Sequence, residues 1–170
     1  MLLITFDFAK GAMTSFDYIE ISANNKVDLY VDVTGESYIF EGETATVTQG
    51  ISVKDDVNTS GGKYLGNVCN NYNATITYKL NVSEATKATM FINMALGGTF
   101  TDNPFKISLN GVDLEVPTSY KDPQGNWTHF QEYKVALLNL VQGENEVVIT
   151  ITGGCGNFDY IKIISPKSIA

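Results

Sequence analysis

The chain has 170 residues, of which 44% are hydrophobic, and a formal net charge of −8. This length predicts one domain with a substantial core, and the apolar content excludes a disordered chain. All eleven basic residues are lysines, and so acidic a chain is not expected to bind nucleic acid, whose partners need a basic face. No apolar run approaches the ~20 residues of a membrane span, so no membrane partner is expected either.

The sequence pattern predicts short strands along the whole chain. Thr, Val, Ile, Tyr and Phe alternate with polar residues, and Gly, Asn and Asp separate the runs. Asn110-Gly111 between two apolar runs predicts a two-residue hairpin. No stretch sustains helical periodicity, so the pattern predicts an all-β protein, either a two-sheet antiparallel β-sandwich or a barrel. The predicted strands are Leu2–Phe8, Phe16–Ala23, Val27–Val33, Tyr38–Glu43, Thr44–Thr48, Tyr64–Val68, Ala74–Val82, Ala88–Leu96, Phe105–Leu109, Gln131–Leu137, Glu146–Thr152 and Phe158–Ile164.

Residues typical of catalysis are scarce. The single histidine, His129, has no serine or cysteine nucleophile motif beside it, and we interpret it as a turn or strand-edge residue. Asp55 and Asp56 form a carboxylate pair, but their polar, turn-rich surroundings indicate a solvated loop. Two cysteines and one histidine are too few for a zinc site. The sequence therefore predicts that the chain is not an enzyme.

A group of acidic residues predicts a cation site. Glu41-Gly42-Glu43 is predicted to lie on a strand, with both carboxylates on one face, because side chains alternate in a strand. Ca²⁺ takes six to eight oxygen ligands, commonly carboxylates and backbone carbonyls. Asp159 supplies a third carboxylate, and Ser60-Gly61-Gly62-Lys63 supplies carbonyls, including that of Lys63. We interpret this set as a calcium site; the alternative is an exposed strand face.

A series of short segments between residues 38 and 164 follows a recognisable order. The segments are Glu41-Gly42-Glu43, Ser60–Val68, Ala74–Val82, Ser108–Val112, Trp127–Gln131, Val135–Leu137, Gly143–Val147 and Asn157–Ile161. In this order they resemble the non-catalytic carbohydrate-binding modules of families 35 and 6, and family 35 in particular. The resemblance implies a jelly-roll β-sandwich that carries a structural calcium and binds sugar in the loops at one end. By this resemblance Glu41, Glu43 and Asp159 match the calcium carboxylates.

Trp127 is the main candidate for sugar binding. Pyranose rings present apolar C–H faces, so a sugar site needs a flat aromatic platform and a few hydrogen-bonding groups. Trp127 is the only tryptophan and follows the polar run Asp122–Asn126, which is unlike a core segment. We favour the platform over the alternative, a tryptophan that caps the edge of the core. The resemblance adds Asn157, which matches an asparagine that bonds sugar hydroxyls.

A second wall of the sugar site follows from the same resemblance. Tyr64, Asn67 and Tyr72 lie on the segment that forms it. Family 6 modules carry a second aromatic near the position of Asn67, so the asparagine here fits family 35 better. Cys69 and Cys155 fall in loops predicted to flank the site, where a disulfide would stiffen it. Two buried free thiols are the alternative.

A hexapeptide repeat bears on the domain boundaries. Phe16-Asp17-Tyr18-Ile19-Glu20-Ile21 returns as Phe158-Asp159-Tyr160-Ile161-Lys162-Ile163, but the first copy has no Glu-x-Glu segment upstream. We therefore predict that residues 36–166 form one complete module and that residues 1–35 are N-terminal strands left from a preceding one. The alternative is that the N-terminal strands add to the edge of this module.

The resemblance implies a module that holds a linked glycoside hydrolase or lyase near a plant or microbial polysaccharide. Xylan, uronic-acid-bearing pectin, galactan and mannan all fit. We expect a monomer that is secreted or at the cell surface. Met1–Ile4 is too short for the apolar part of a signal peptide, so the export signal is expected outside this sequence. The alternative function is a structural or adhesion jelly roll without sugar binding, since fold does not fix function.

Overall fold

The structure is a computed structural model that describes residues 33–48, 50–68, 71–154 and 156–170. The N-terminal strands, the first hexapeptide copy, Cys69 and Cys155 lie outside these ranges. The described strands are β1 (Glu36–Glu41), β2 (Thr46–Val47), β3 (Ser52–Asp55), β4 (Lys63–Gly66), β5 (Thr75–Val82), β6 (Thr86–Leu96), β7 (Phe100–Asp102), β8 (Phe105–Leu109), β9 (Val112–Asp113), β10 (Ser119–Lys121), β11 (Phe130–Leu140), β12 (Gly143–Ile151) and β13 (Gly156–Ser165). Two short 3₁₀ turns, Gly42–Thr44 and Ser60–Gly62, complete the regular structure of this part of the chain.

The strands form two main antiparallel sheets. The larger sheet has the order β11-β6-β13-β4-β3, with β1 also paired to β13, and the smaller has the order β2-β5-β12-β8-β9. β7 and β10 form a separate two-stranded ribbon. The prediction of an all-β protein with a two-sheet antiparallel sandwich is therefore confirmed. Among the described residues, no helix has the length and apolar character needed to cross a membrane.

The core lies between the two sheets because alternate side chains of each strand point inward. On β6 the inward set includes Met90, Ile92 and Met94, all fully buried. On β12 in the facing sheet, Val147 and Ile149 are fully buried as well. Each such side chain contributes about 1.5–3 kcal/mol relative to an exposed position. This packing fixes the two sheets against each other and so positions the loops at their ends.

The predicted hairpin is confirmed. β8 and β9 are joined by Asn110-Gly111, with φ of 51° and 79°, and Leu109 pairs with Val112. Positive φ at both central residues is what a type I′ turn requires. Strands β3, β7 and β10 were not predicted. The reason is visible in β3, an edge strand whose side chains are mostly exposed and which therefore lacks the apolar alternation that marks a strand.

β13 brings two other strands together at a bulge. β1 and β4 pair with the same edge of β13, one after the other: Glu41 lies opposite Tyr160, and Leu65 lies opposite Phe158. The residue between these two pairs is Asp159, where the register of β13 against β6 also shifts. A bulged residue leaves the regular alternation of its strand. The bulge therefore delivers the Asp159 carboxylate to the junction of β1 and β4.

Candidate functional site

The carboxylates of Glu41, Glu43 and Asp159 gather at this junction. Glu41 ends β1, Glu43 lies in the 3₁₀ turn that follows, and Asp159 is only 2% exposed. Ser60 connects two of them: its amide donates to Oδ2 of Asp159 at 3.0 Å, and its hydroxyl donates to Oε1 of Glu41 at 2.6 Å. A Cβ added to Gly61 would lie 2.9 Å from Oε1 of Glu43 and 3.9 Å from Oε2 of Glu41. The three acidic residues therefore surround the turn Ser60–Gly62.

The prediction that Glu41 and Glu43 share one face of a strand is wrong. The strand ends at Glu41 and the chain turns, because Gly42 packs directly on the bulge: a Cβ there would lie 2.6 Å from the carbonyl oxygen of Asp159. The turn, rather than strand alternation, brings both glutamates to the same side. Lys63 follows the second turn as the first residue of β4, and its role as a carbonyl ligand stays a prediction.

Each of the three carboxylates has one buried oxygen without a hydrogen-bond partner. These are Oε2 of Glu41, Oε2 of Glu43 and Oδ1 of Asp159. A buried oxygen that is left unpaired costs roughly 1–3 kcal/mol, and more when it is charged. In the described part of the chain, no group of three or more acidic, histidine or cysteine side chains is placed so that it could hold a metal ion as it stands.

The charges of the cluster act on its neighbours. Burial raises the pKa of Asp159 to about 6, an effect that the hydrogen bond from Ser60 opposes and the charges of the two glutamates reinforce. Tyr78 projects from β5 in the other sheet; burial first, and then the three carboxylates, raise the pKa of its hydroxyl. The cluster is thus a site of concentrated negative charge between the two sheets, and an added cation would relieve it.

Trp127 stands at the loop end of the sandwich. Its side chain is 46% exposed, and a Cβ on Gly97 would overlap its indole ring, so the ring lies directly against the backbone that follows β6. Asn157 at the start of β13 donates its amide to the Trp127 carbonyl at 2.9 Å. Asn157 is itself only 9% exposed. The two predicted residues are thus brought together, with Asn157 supporting the loop of Trp127, and their contact with sugar stays a prediction.

The second predicted wall lies on the outer face of the larger sheet. Phe130, Ala95 and Asn157 occupy neighbouring positions on β11, β6 and β13. The ring of Tyr64 contacts that of Phe130, with centroids 5.6 Å apart. The role of Tyr64 in sugar binding stays a prediction.

Asn67 and Tyr72 occupy the loop between β4 and β5. Asn67 is exposed, has φ of 59°, and donates its amide to Ser52 Oγ at 3.0 Å. Tyr72 is 67% exposed. This loop lies at the same end as Trp127, since the amide of Asn73 donates to the carbonyl of Ile151 at the end of β12. Neither residue has a described contact with Trp127, so their roles also stay predictions.

The sequence reasoning missed an acidic residue beneath the Trp127 loop. Asp122 is completely buried, and its Oδ2 lies 2.9 Å from Nδ1 of His129. Burial would raise its pKa, but hydrogen bonds from His129 and from the backbone of Gln124 and Gly125 outweigh burial and lower it. His129 does lie in a loop, as predicted, and it has a partner there. The sequence does contain a signal for this pair: Asp122 lies seven residues before the only histidine, and the run Pro-Gln-Gly between them is typical of a turn.

These features define an architecture: an antiparallel two-sheet sandwich with a buried acidic cluster where β1 and β4 meet on β13, and a half-exposed tryptophan in a loop. A family 35 carbohydrate-binding module from Clostridium thermocellum has this fold, with a TM-score of 0.66 and 24% identity over 77% of this chain and 99% of that one. A family 35 module from Cellvibrio japonicus gives 0.63 and 20%, over 79% and 96%. A Podospora anserina β-(1,4)-mannanase, which combines a family 26 hydrolase with a family 35 module, gives 0.62 and 21%, over 76% and 27%.

The comparisons establish the fold. The chain has the jelly-roll β-sandwich of these modules, as the sequence predicted. No protein-family model matches the sequence, and no curated protein matches it. What the chain binds has to be argued from its own residues.

Proposed function

We propose that this chain is a non-catalytic carbohydrate-binding module with Trp127 as its sugar platform. The observation that carries the proposal is that the half-exposed indole of Trp127 rests on Gly97 and that the backbone carbonyl of Trp127 accepts a hydrogen bond from Asn157. Exposing so large an apolar ring costs free energy, and a fixed ring offers a flat surface for the C–H face of a pyranose. The similarity to family 35 modules supports the same function.

The second part of the proposal is that Glu41, Glu43 and Asp159 hold a structural Ca²⁺. Three unpaired buried carboxylate oxygens fit a hard cation that takes oxygen ligands. The ion would supply positive charge beside the three carboxylates, and the backbone carbonyls of the adjacent turn at Ser60–Gly62 and of Lys63 would be its further ligands. Its role is structural, because Trp127 belongs to a different set of loops.

The proposed ligand is a plant or microbial polysaccharide, and the proposed partner is a linked catalytic domain. The Podospora protein is a mannanase, and a similar fold occurs in an exo-β-1,3-galactanase from Phanerochaete chrysosporium. These names leave mannan and galactan open alongside xylan and uronic-acid-bearing pectin. We further propose that the module is secreted or at the cell surface and acts as a monomer.

A glycan array in calcium-containing buffer tests the sugar proposal. We expect the wild type to bind one class of polysaccharide and Trp127→Ala to lose that binding. Val112→Ala is the matched control, because Val112 is an apolar side chain 67% exposed on β9, beside the hairpin turn. If the wild type binds no glycan, the alternative function of a structural or adhesion domain is favoured. Equal binding by wild type and Trp127→Ala would instead contradict the assigned platform.

A further inference from the structure

The loop that carries Trp127 is built around the buried carboxylate of Asp122. Oδ2 pairs with Nδ1 of His129 at 2.9 Å, and Oδ1 accepts the amide of Gln124 at 2.9 Å. The amide of Gly125 donates to the same carboxylate. One carboxylate therefore ties together both ends of residues 122–129. Because Asp122 is completely buried, it cannot itself contact a glycan.

The rest of the loop is fixed by short-range contacts. Oδ1 of Asn126 accepts the amide of Thr128 at 2.9 Å and its hydroxyl at 3.0 Å. Gly125 has φ of 53°, and a Cβ there would lie 2.6 Å from the amide nitrogen of Thr99. Turns of this kind hold the backbone in one conformation. Trp127 is thus placed between two fixed segments.

The hydrogen bonds that Asp122 accepts from His129, Gln124 and Gly125 outweigh the effect of its burial and lower its pKa. Hydrogen bonds to a charged group are strong and directional, so they favour one conformation of the loop. In this protein, the conformation that Asp122 fixes is that of the loop that carries the exposed indole of Trp127. If the Trp127 side chain is already ordered in the free protein, ligand binding does not have to order it. The free energy of ordering is about 0.5–1.5 kcal/mol for each side chain.

We propose that Asp122 and His129 are positioning residues that fix the Trp127 platform before the ligand arrives. The proposal rests on the sugar-binding role of Trp127, but its central statement concerns the free protein: without the Asp122–His129 pair, the Trp127 ring leaves its place against Gly97. The pair thereby determines how tightly the module binds.

The test uses Trp127 as its own reporter, because it is the only tryptophan in the chain. Acrylamide quenching and fluorescence anisotropy are measured on the ligand-free wild type, Asp122→Ala, His129→Phe and His129→Asn. We expect Asp122→Ala and His129→Phe to raise the quenching constant about twofold or more and to lower the anisotropy. His129→Asn should be closer to the wild type, since its amide nitrogen takes the place of Nδ1 and can still donate to Asp122.

A core variant separates positioning from general loss of stability. Leu140→Ala removes a buried side chain at the far end of β11, which lowers the melting temperature without touching the loop. We expect it to leave the Trp127 fluorescence unchanged below the melting transition. Wild-type quenching and anisotropy in both Asp122→Ala and His129→Phe would overturn the proposal.

Affinity provides the second measurement, with the array glycan that binds the wild type best as the probe. We expect Asp122→Ala and His129→Phe to weaken binding on the order of tenfold, equivalent to about 1.4 kcal/mol. Unchanged affinity in variants whose indole has become mobile would overturn the claim that the pair sets the affinity. If the wild type binds no glycan, the proposed function fails, whereas the fluorescence comparison still decides whether the pair positions Trp127.

Discussion

Replacing Asp159 with asparagine removes one negative charge from the acidic cluster with little change in side-chain size. The amide oxygen of asparagine can still accept the hydrogen bond from Ser60 that Oδ2 accepts at 3.0 Å. The change therefore isolates the effect of charge. We expect the sign of the change in stability to depend on calcium. Asp159→Asn should stabilise the metal-free protein at pH 7 and destabilise the protein in calcium.

The magnitude follows from the pKa of Asp159. Burial, with the glutamate charges, raises it from 3.8 to about 6. A raised pKa means that the group favours folding below its unfolded pKa and that this contribution is lost as pH rises through about 6. One pKa unit corresponds to about 1.4 kcal/mol. With allowance for screening by solvent, ionised Asp159 costs the metal-free protein on the order of 2 kcal/mol at pH 7.

Thermal unfolding in a chelator and in calcium measures the effect. For a domain of this size, about 1 kcal/mol shifts the melting temperature by roughly 2–4 °C, so we expect Asp159→Asn to melt about 4–8 °C above the wild type in chelator at pH 7. The difference should shrink towards pH 4, where Asp159 becomes protonated. In calcium the order should reverse, because the wild type alone keeps all three carboxylates. A metal-free Asp159→Asn less stable than the wild type at pH 7 would refute the reasoning.

Three further predictions concern backbone contacts and thiols. Gly42→Ala should lower the free energy of unfolding by about 1–3 kcal/mol, because its Cβ would lie 2.6 Å from the Asp159 carbonyl; denaturant unfolding checks this, and wild-type stability would contradict it. Gly97→Ala should displace the indole of Trp127 and change its emission spectrum; an unchanged spectrum would argue against the contact. Thiol titration under denaturing, non-reducing conditions should find Cys69 and Cys155 joined, and two free thiols would exclude the bridge.

The sequence predicted the sandwich because its core strands are long and strongly patterned. β12 alternates buried and more exposed residues from Glu144 to Ile151, and β6 does so from Met90 to Met94; such patterns are reliable. Strands β7 and β10 have three residues each, which is too short for a pattern to appear. The hairpin at Asn110-Gly111 was predictable because two adjacent positive φ values strongly favour this pair of residues.

The candidate site was predictable in composition and less so in geometry. Acidic residues far apart in the sequence predicted a shared cation site, and the polar residues before Trp127 predicted that its side chain is exposed. The turn after Glu41 was not predictable, because it depends on Gly42 meeting the bulge at Asp159, a contact between distant segments. The Asp122–His129 pair was missed for a different reason: nothing in the sequence shows that Asp122 will be buried.

Calorimetric titration of the best array glycan into the wild type and Trp127→Ala, both in calcium, tests the central claim most directly. We predict saturable binding by the wild type and at least a tenfold weaker affinity for Trp127→Ala, equivalent to 1.4 kcal/mol or more. Trp127→Ala loses the buried part of the indole and should melt below the wild type, but it should remain fully folded at the assay temperature, which its circular dichroism checks. Equal affinities for the two proteins would contradict the assignment of Trp127 as the sugar platform.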